Sequence, residues 1–184
     1  MDNTIRMDTR LTTHRGSSPR SFGIAEAVFL CLCVVCVDIS RTLAEPPPSI
    51  RATGKTQSLT VIDTSQPLIF PEQSWKLTAP NHFGPTITVW SIAPFRNVAD
   101  SQIQIDAALN LTIGNRGKDG NWQVLMPHDR THFSSGRTAA HVVAGSQGGN
   151  GDAGITVTFL CHEQPFVADG EYEATVVGTI TEAF

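Results

Sequence analysis

Gln102-Ile103-Gln104-Ile105-Asp106-Ala107-Ala108-Leu109-Asn110-Leu111-Thr112-Ile113 is the stretch that decides the fold class. Its odd positions are apolar, and its even positions are polar apart from Ala108. Successive side chains of a strand point to opposite faces. The spacing therefore predicts one apolar and one largely polar face, as in a half-buried antiparallel strand. Helical spacing would scatter the same residues around a cylinder.

Shorter runs on either side repeat the theme, at 57–63, 73–78, 86–92, 121–126, 138–144, 154–161 and 171–181. Each is rich in Val, Ile, Thr or aromatic residues, which suit a pleated surface. Turn formers separate them: Ala79-Pro80-Asn81, Arg116-Gly117-Lys118-Asp119-Gly120 and Asp169-Gly170. Lys118-Asp119-Gly120 between two such runs predicts a hairpin. The glycine-rich stretch 144–154 reads as a mobile loop, and no window carries a helical stripe. About eight short strands predict an all-β fold: an antiparallel β-sandwich, with an open β-barrel as the alternative. Trp75, Trp90 and Trp122 fall inside alternating runs and are expected in the core.

The N-terminus has a different character. Arg6, Arg10, Arg15 and Arg20 precede an eleven-residue apolar run at 27–37, bracketed by Glu26 and Asp38. Such a run fits the apolar region of a secretory signal peptide, whereas a membrane-spanning helix needs roughly 20 apolar residues. Thr42 and Ala44 supply small side chains at the −3 and −1 places of a peptidase site, which predicts cleavage between Ala44 and Glu45. The rival reading is a retained single-span anchor. The expected organisation is a signal peptide at 1–44, a flexible lead-in at 45–56 and a β-sandwich at 57–184.

Residues 45–184 keep 8 of the 13 Lys and Arg and 13 of the 17 Asp and Glu, a net charge near −5. That balance argues against a nucleic-acid partner, which demands a basic face to displace phosphate counterions. Cys31, Cys33 and Cys36 lie in the leader, so Cys161 is the one thiol left. It continues the apolar series Ile155, Val157, Phe159 and is expected as a buried, inert side chain.

Several motifs have a chemical look and fail on spacing. Gly54-Lys55-Thr56 lacks the earlier glycine, preceding strand and following helix of a phosphate-binding loop. Gly148-Gly149-Asn150-Gly151-Asp152 is a single, misregistered copy of a calcium-binding repeat. His128 and His132 are four apart, but Pro127 argues for a loop, and the Glu that a metalloprotease helix carries is missing. His82, His141 and His162 have no ligand spacing of their own. Glu171 and Glu173 share one face of a strand, where exposed charge is expected, although paired carboxylates do serve glycoside hydrolysis. Ser134-Ser135 beside His132 lacks the Gly-x-Ser-x-Gly turn of a hydrolase nucleophile. Asn110-Leu111-Thr112 is a glycosylation sequon, of consequence in a eukaryotic host.

The ending at 169–181, Asp-Gly-Glu-Tyr-Glu-Ala-Thr-Val-Val-Gly-Thr-Ile-Thr, resembles the terminal strand of bacterial pilins and spore-coat-U-type surface proteins. Those proteins close with a Gly-x-Tyr turn and a long Thr/Val strand. The resemblance covers these residues and the overall architecture, and the chain departs from many such proteins in lacking a cysteine pair. It implies an immunoglobulin-like surface or fimbrial domain that interacts through sheet edges and carries no catalytic residues. The expected function is thus an exported structural or adhesive module, periplasmic or on the cell surface. Its partners would be other protein chains, it would need no cofactor or metal, and it would touch membrane through an uncleaved leader alone. The alternatives are a carbohydrate- or small-ligand-binding module using exposed aromatics and the 144–154 loop, and a hydrolase with a spatially assembled site.

Overall fold

The computed structural model describes residues 4–13, 47–60, 65–80, 85–164 and 166–182. The apolar run 27–37, the Ala44/Glu45 junction and His82 lie outside the described residues. Among the described residues there are fourteen strands, two short 3-10 turns at Phe133–Ser135 and Cys161–Glu163, and no α-helix. The strands are β1 (Thr4–Thr13), β2 (Ser49–Ala52), β3 (Gln57–Thr60), β4 (Leu68–Ile69), β5 (Gln73–Ala79), β6 (Thr86–Ile92) and β7 (Phe95–Asn97). They continue as β8 (Gln104–Ile105), β9 (Ala107–Arg116), β10 (Trp122–Met126), β11 (His128–Arg130), β12 (Ala140–Ser146), β13 (Gly149–Phe159) and β14 (Tyr172–Glu182).

Two sheets result, and the expected all-β sandwich or barrel is what forms. The first runs β10-β12-β6-β14-β1-β3, with β7 on β14 and β8 on β7. The second runs β11-β9-β13-β5-β2, with β4 on β13. Pairing is antiparallel except between β1 and β14, which run parallel in the register Ile5↔Tyr172 to Thr13↔Ile180. Strict alternation builds the layers: β5 buries Gln73, Trp75, Leu77 and Ala79, and β6 buries Thr86, Thr88, Trp90 and Ile92. The two inner faces meet through aromatic rings. Trp75 meets Trp90 edge-on at 6.2 Å, and Phe159 lies 5.0 Å from Phe95 and 5.5 Å from Tyr172. Such geometries add to the area these rings bury.

Four expectations change. The run 102–113 is not one strand. β8 belongs to the first sheet and β9 to the second, and the chain crosses between them at Asp106. Alternation breaks there, with Ile105, Asp106 and Ala107 all buried. The Asp106 carboxylate accepts hydrogen bonds from Thr131 Oγ1 (2.7 Å) and the Phe133 amide (2.8 Å), which make the buried acid tolerable.

The Lys118-Asp119-Gly120 turn closes no hairpin, because β9 and β10 lie in different sheets. Asn115 stands in for the ladder: the Trp122 amide donates to its Oδ1 at 2.6 Å, and its Nδ2 donates to the Trp122 carbonyl at 3.2 Å.

The stretch 144–154 is not a loop, since β12 runs to Ser146 and β13 begins at Gly149. Its glycines provide both freedom and space: Gly148 and Gly149 take positive φ (144° and 85°), and a Cβ on Gly151 would lie 2.6 Å from Trp122 Cδ1. The Trp122 indole N–H meanwhile donates to the Gly149 carbonyl at 3.1 Å.

The lead-in 45–56 holds strand β2, paired with β5 and burying Ile50. Thr4–Thr13, which the sequence reading placed in the positive region of the signal peptide at 1–44, forms β1.

Candidate functional site

Each candidate motif now has a place. Trp75, Trp90 and Trp122 are at most 2 % exposed, so none offers a face on which a sugar could stack. Cys161 is buried and its thiol donates to the Gln66 carbonyl at 3.0 Å. Gly54-Lys55-Thr56 forms an irregular link between β2 and β3. Glu173 is exposed and Glu171 half-buried at the start of β14.

His128 and His132 are exposed on opposite sides of buried Thr131, an extended arrangement in place of a shared helical face. His141 and His162 are exposed on other elements. Among the described residues no group of three His, Cys, Asp or Glu side chains converges as metal ligands.

The nearest approach to a catalytic pair is His132 Nδ1 and Ser134 Oγ, which share a hydrogen bond at 3.2 Å. Both are exposed on the turn Phe133–Ser135. Asp106, just beneath, is engaged by Thr131 and Phe133 and makes no bond to the imidazole. The pair thus lacks the orienting third group that activates a hydroxyl nucleophile.

A second polar cluster ties β11 to β12. Asp129 forms an ion pair with Arg137, and its Oδ2 accepts the His141 amide at 2.9 Å. Partial burial pushes the Asp129 carboxyl up. The His141 and Arg130 amides and the Arg137 guanidinium outweigh that and hold it below the usual carboxylate range.

The surface grooves are open. One of about 560 Å3 crosses the outer face of the first sheet between Arg96, His141, Glu173 and Val177. Another of about 360 Å3 crosses the second sheet between Glu72, Lys76, Thr112, Arg116 and Asp152. There Thr112 Oγ1 donates to Glu72, and Arg116 pairs with Asp152.

The strand edges remain. β14 is the first sheet's longest strand, flanked by β6 and by β1. Its inner face buries Tyr172, Ala174, Val176, Gly178 and Ile180. At its start the Tyr172 hydroxyl donates to the Ala168 carbonyl at 2.9 Å, and burial pushes that phenol above its ordinary pKa. The final strand is an integral part of the core, as the apolar alternation from Tyr172 to Ile180 implies.

At the far end of the same sheet β10 is paired on one side, to β12. It exposes Val124, Leu125 and Met126 together. Sequence reasoning passed over this edge. The signal was present in three consecutive large apolar residues, which no one-sided strand can bury.

No family model and no curated protein matches the chain. Among the described residues no helix is long and apolar enough to cross a membrane.

Proposed function

We propose that this chain is an exported structural or adhesive surface module, without catalytic activity, that acts through sheet-edge contacts with other protein chains. The observation that carries the reading is the parallel pairing of β1 with β14. β1 lies wholly upstream of the Ala44/Glu45 junction, so cleavage there would remove it and leave β14 with a bare edge along its outer side. A row of unpaired N–H and C=O groups is a template for a strand from another chain.

Two further features support an immunoglobulin-like surface domain. The Tyr172 hydroxyl reaches back four residues to the Ala168 carbonyl, an arrangement found at the corner of immunoglobulin-type sandwiches. The Gly170-Glu171-Tyr172 turn then leads into a Thr/Val strand that spans the sheet.

The test begins with protein from its native cells. Mass spectrometry should find a chain starting at Glu45 in the secreted or envelope fraction. Amide exchange along Tyr172–Glu182 should be faster in that form than in the full chain, because β14 has lost a neighbour. An intact N-terminus in the cytosol would overturn the export reading. Equal protection of β14 in both forms would overturn the edge mechanism.

A further inference from the structure

We infer that β10 is a self-association edge, at which two copies of this chain pair antiparallel about Val124. The inference deepens the reading above by naming a partner and a strand, and it rests on that reading for its biological purpose alone.

The edges that end the two strand orders differ in how they are guarded. β11 carries Asp129 and Arg130, β2 carries Arg51, and β3 reads Gln-Ser-Leu-Thr. Charges on an edge are a common defence against unwanted pairing. Like β3, β10 has none, as no charged residue occurs from Gly120 to Pro127, but unlike β3 it presents three large apolar residues. Val124, Leu125 and Met126 are 37 %, 58 % and 43 % exposed.

The backbone agrees. In an antiparallel strand the N–H and C=O of one residue point the same way, and the direction alternates along the chain. At Trp122 both groups point away from β12 and are taken by Asn115. By that alternation Val124 turns its own pair toward the open edge, beyond the reach of Asn115.

A second copy suits this edge for an electrostatic reason. Two-fold pairing sets each residue of a strand against a residue of the same strand, so any charge near the axis meets its own like. Charged edges such as β11 disfavour that arrangement, whereas β10 opposes Val124 to Val124 and Gln123 to Leu125, the residue at which β10 bulges out of register with β12. Leu125 projects on the outer face across Gly145, where a Cβ would come within 3.0 Å of its Cδ1. Beside it lies a groove of about 240 Å3 between Ile87, Gln123, Leu125 and Gly145. Pairing about Val124 brings the Leu125 side chain of one copy to the Gln123 rim of the other copy's groove, reciprocally. A five-residue edge makes an interface at the small end of the range, below about 1,200 Å2, so association rises with concentration.

Sedimentation velocity of the full-length chain over a concentration series tests this. The expected result is a monomer–dimer equilibrium that Val124→Lys weakens at least about tenfold by opposing two lysines on the axis. Val124 is part-exposed, so unchanged melting is expected to confirm that the variant folds. A pair of variants at exposed positions checks the register without relying on Val124. Q123E/L125K places Glu against Lys across the axis and should still dimerise. Q123K/L125K places Lys against Lys and should not. A chain that stays monomeric throughout, association unchanged by Val124→Lys, or identical behaviour of the two double variants would each overturn the inference. A monomer would leave the export reading standing, and an intact cytosolic chain that dimerises through β10 would separate the two the other way.

Discussion

The indole of Trp75 on β5 rests against the bare Cα of Gly178 on β14, across the core. A Cβ at position 178 would stand 2.8 Å from Trp75 Cζ3 and 2.9 Å from Ile50 Cδ1. The glycine interrupts an otherwise apolar series because one of the largest side chains of the facing sheet occupies its space.

Gly178→Ala is therefore expected to cost about 1–3 kcal/mol, as overpacking of a filled core does. Gly114→Ala on β9 is the control, since a Cβ there meets nothing within 4 Å. It should stay within about 0.5 kcal/mol of the parent. Urea titration of the three proteins decides, and equal midpoints would show that the sheets can separate to admit the methyl group.

Strand β9 offers a test of one-sidedness. Leu109 is fully buried and Asn110 exposed, one residue apart. Leu109→Ala should destabilise by about 2–5 kcal/mol, and Asn110→Ala by no more than about 0.5 kcal/mol. Similar losses at both positions in thermal melts would mean that β9 is covered on both faces.

Thr131 links the crossover at Asp106 to the turn that follows β11. Its Oγ1 donates to Asp106 at 2.7 Å and accepts the Ala107 amide at 2.9 Å, in a site 1 % exposed. Thr131→Val keeps the shape but removes both bonds, so a cost of about 1–3 kcal/mol is expected. Hydrogen exchange at the Ala107 amide should accelerate with it. Unchanged stability and exchange would show that the carboxylate and amide find other partners.

The Asp129–Arg137–His141 cluster sets an acid-side dependence. The folded state holds the Asp129 carboxyl below its unfolded value, which is about 3.9 for an unperturbed Asp. The folded form thus favours the ionised group. The stabilisation is complete above the unfolded value and is lost as pH falls through the folded one. Asp129→Asn should therefore lose stability relative to the parent at neutral pH, with the two converging at the most acidic pH. Urea midpoints measured from neutral pH downward check the sign, and parallel curves would show that the cluster contributes nothing.

The alternation was legible wherever a strand has one wet face. The run 86–92 became β6 with the same boundaries, and 73–78 became β5 with one residue added. Legibility failed where one side chain serves both sheets. Asp106 stands on the polar parity of its run yet is buried, because two donors from the segment after β11 reach it. Asn115 replaces a hairpin ladder with a side-chain amide, and nothing in the local pattern distinguishes it from any other turn-adjacent Asn. The glycines of 144–154 have the composition of a flexible loop. They read as strand once Trp122, distant from most of them in sequence, is seen to press against Gly151.

By itself, then, the sequence determined the all-β class, the inward placement of the three tryptophans, the buried state of Cys161 and the integral role of the last strand. All of these follow from period-two burial, a property of each segment alone. The tertiary structure decided which strands share a sheet, where the chain crosses between layers, and which edges are left unpaired. Those outcomes depend on hydrogen bonds and contacts between residues remote in sequence. Parallel pairing of Thr4–Thr13 with Tyr172–Glu182 joins the two ends of the chain, and no local pattern in either segment encodes its neighbour.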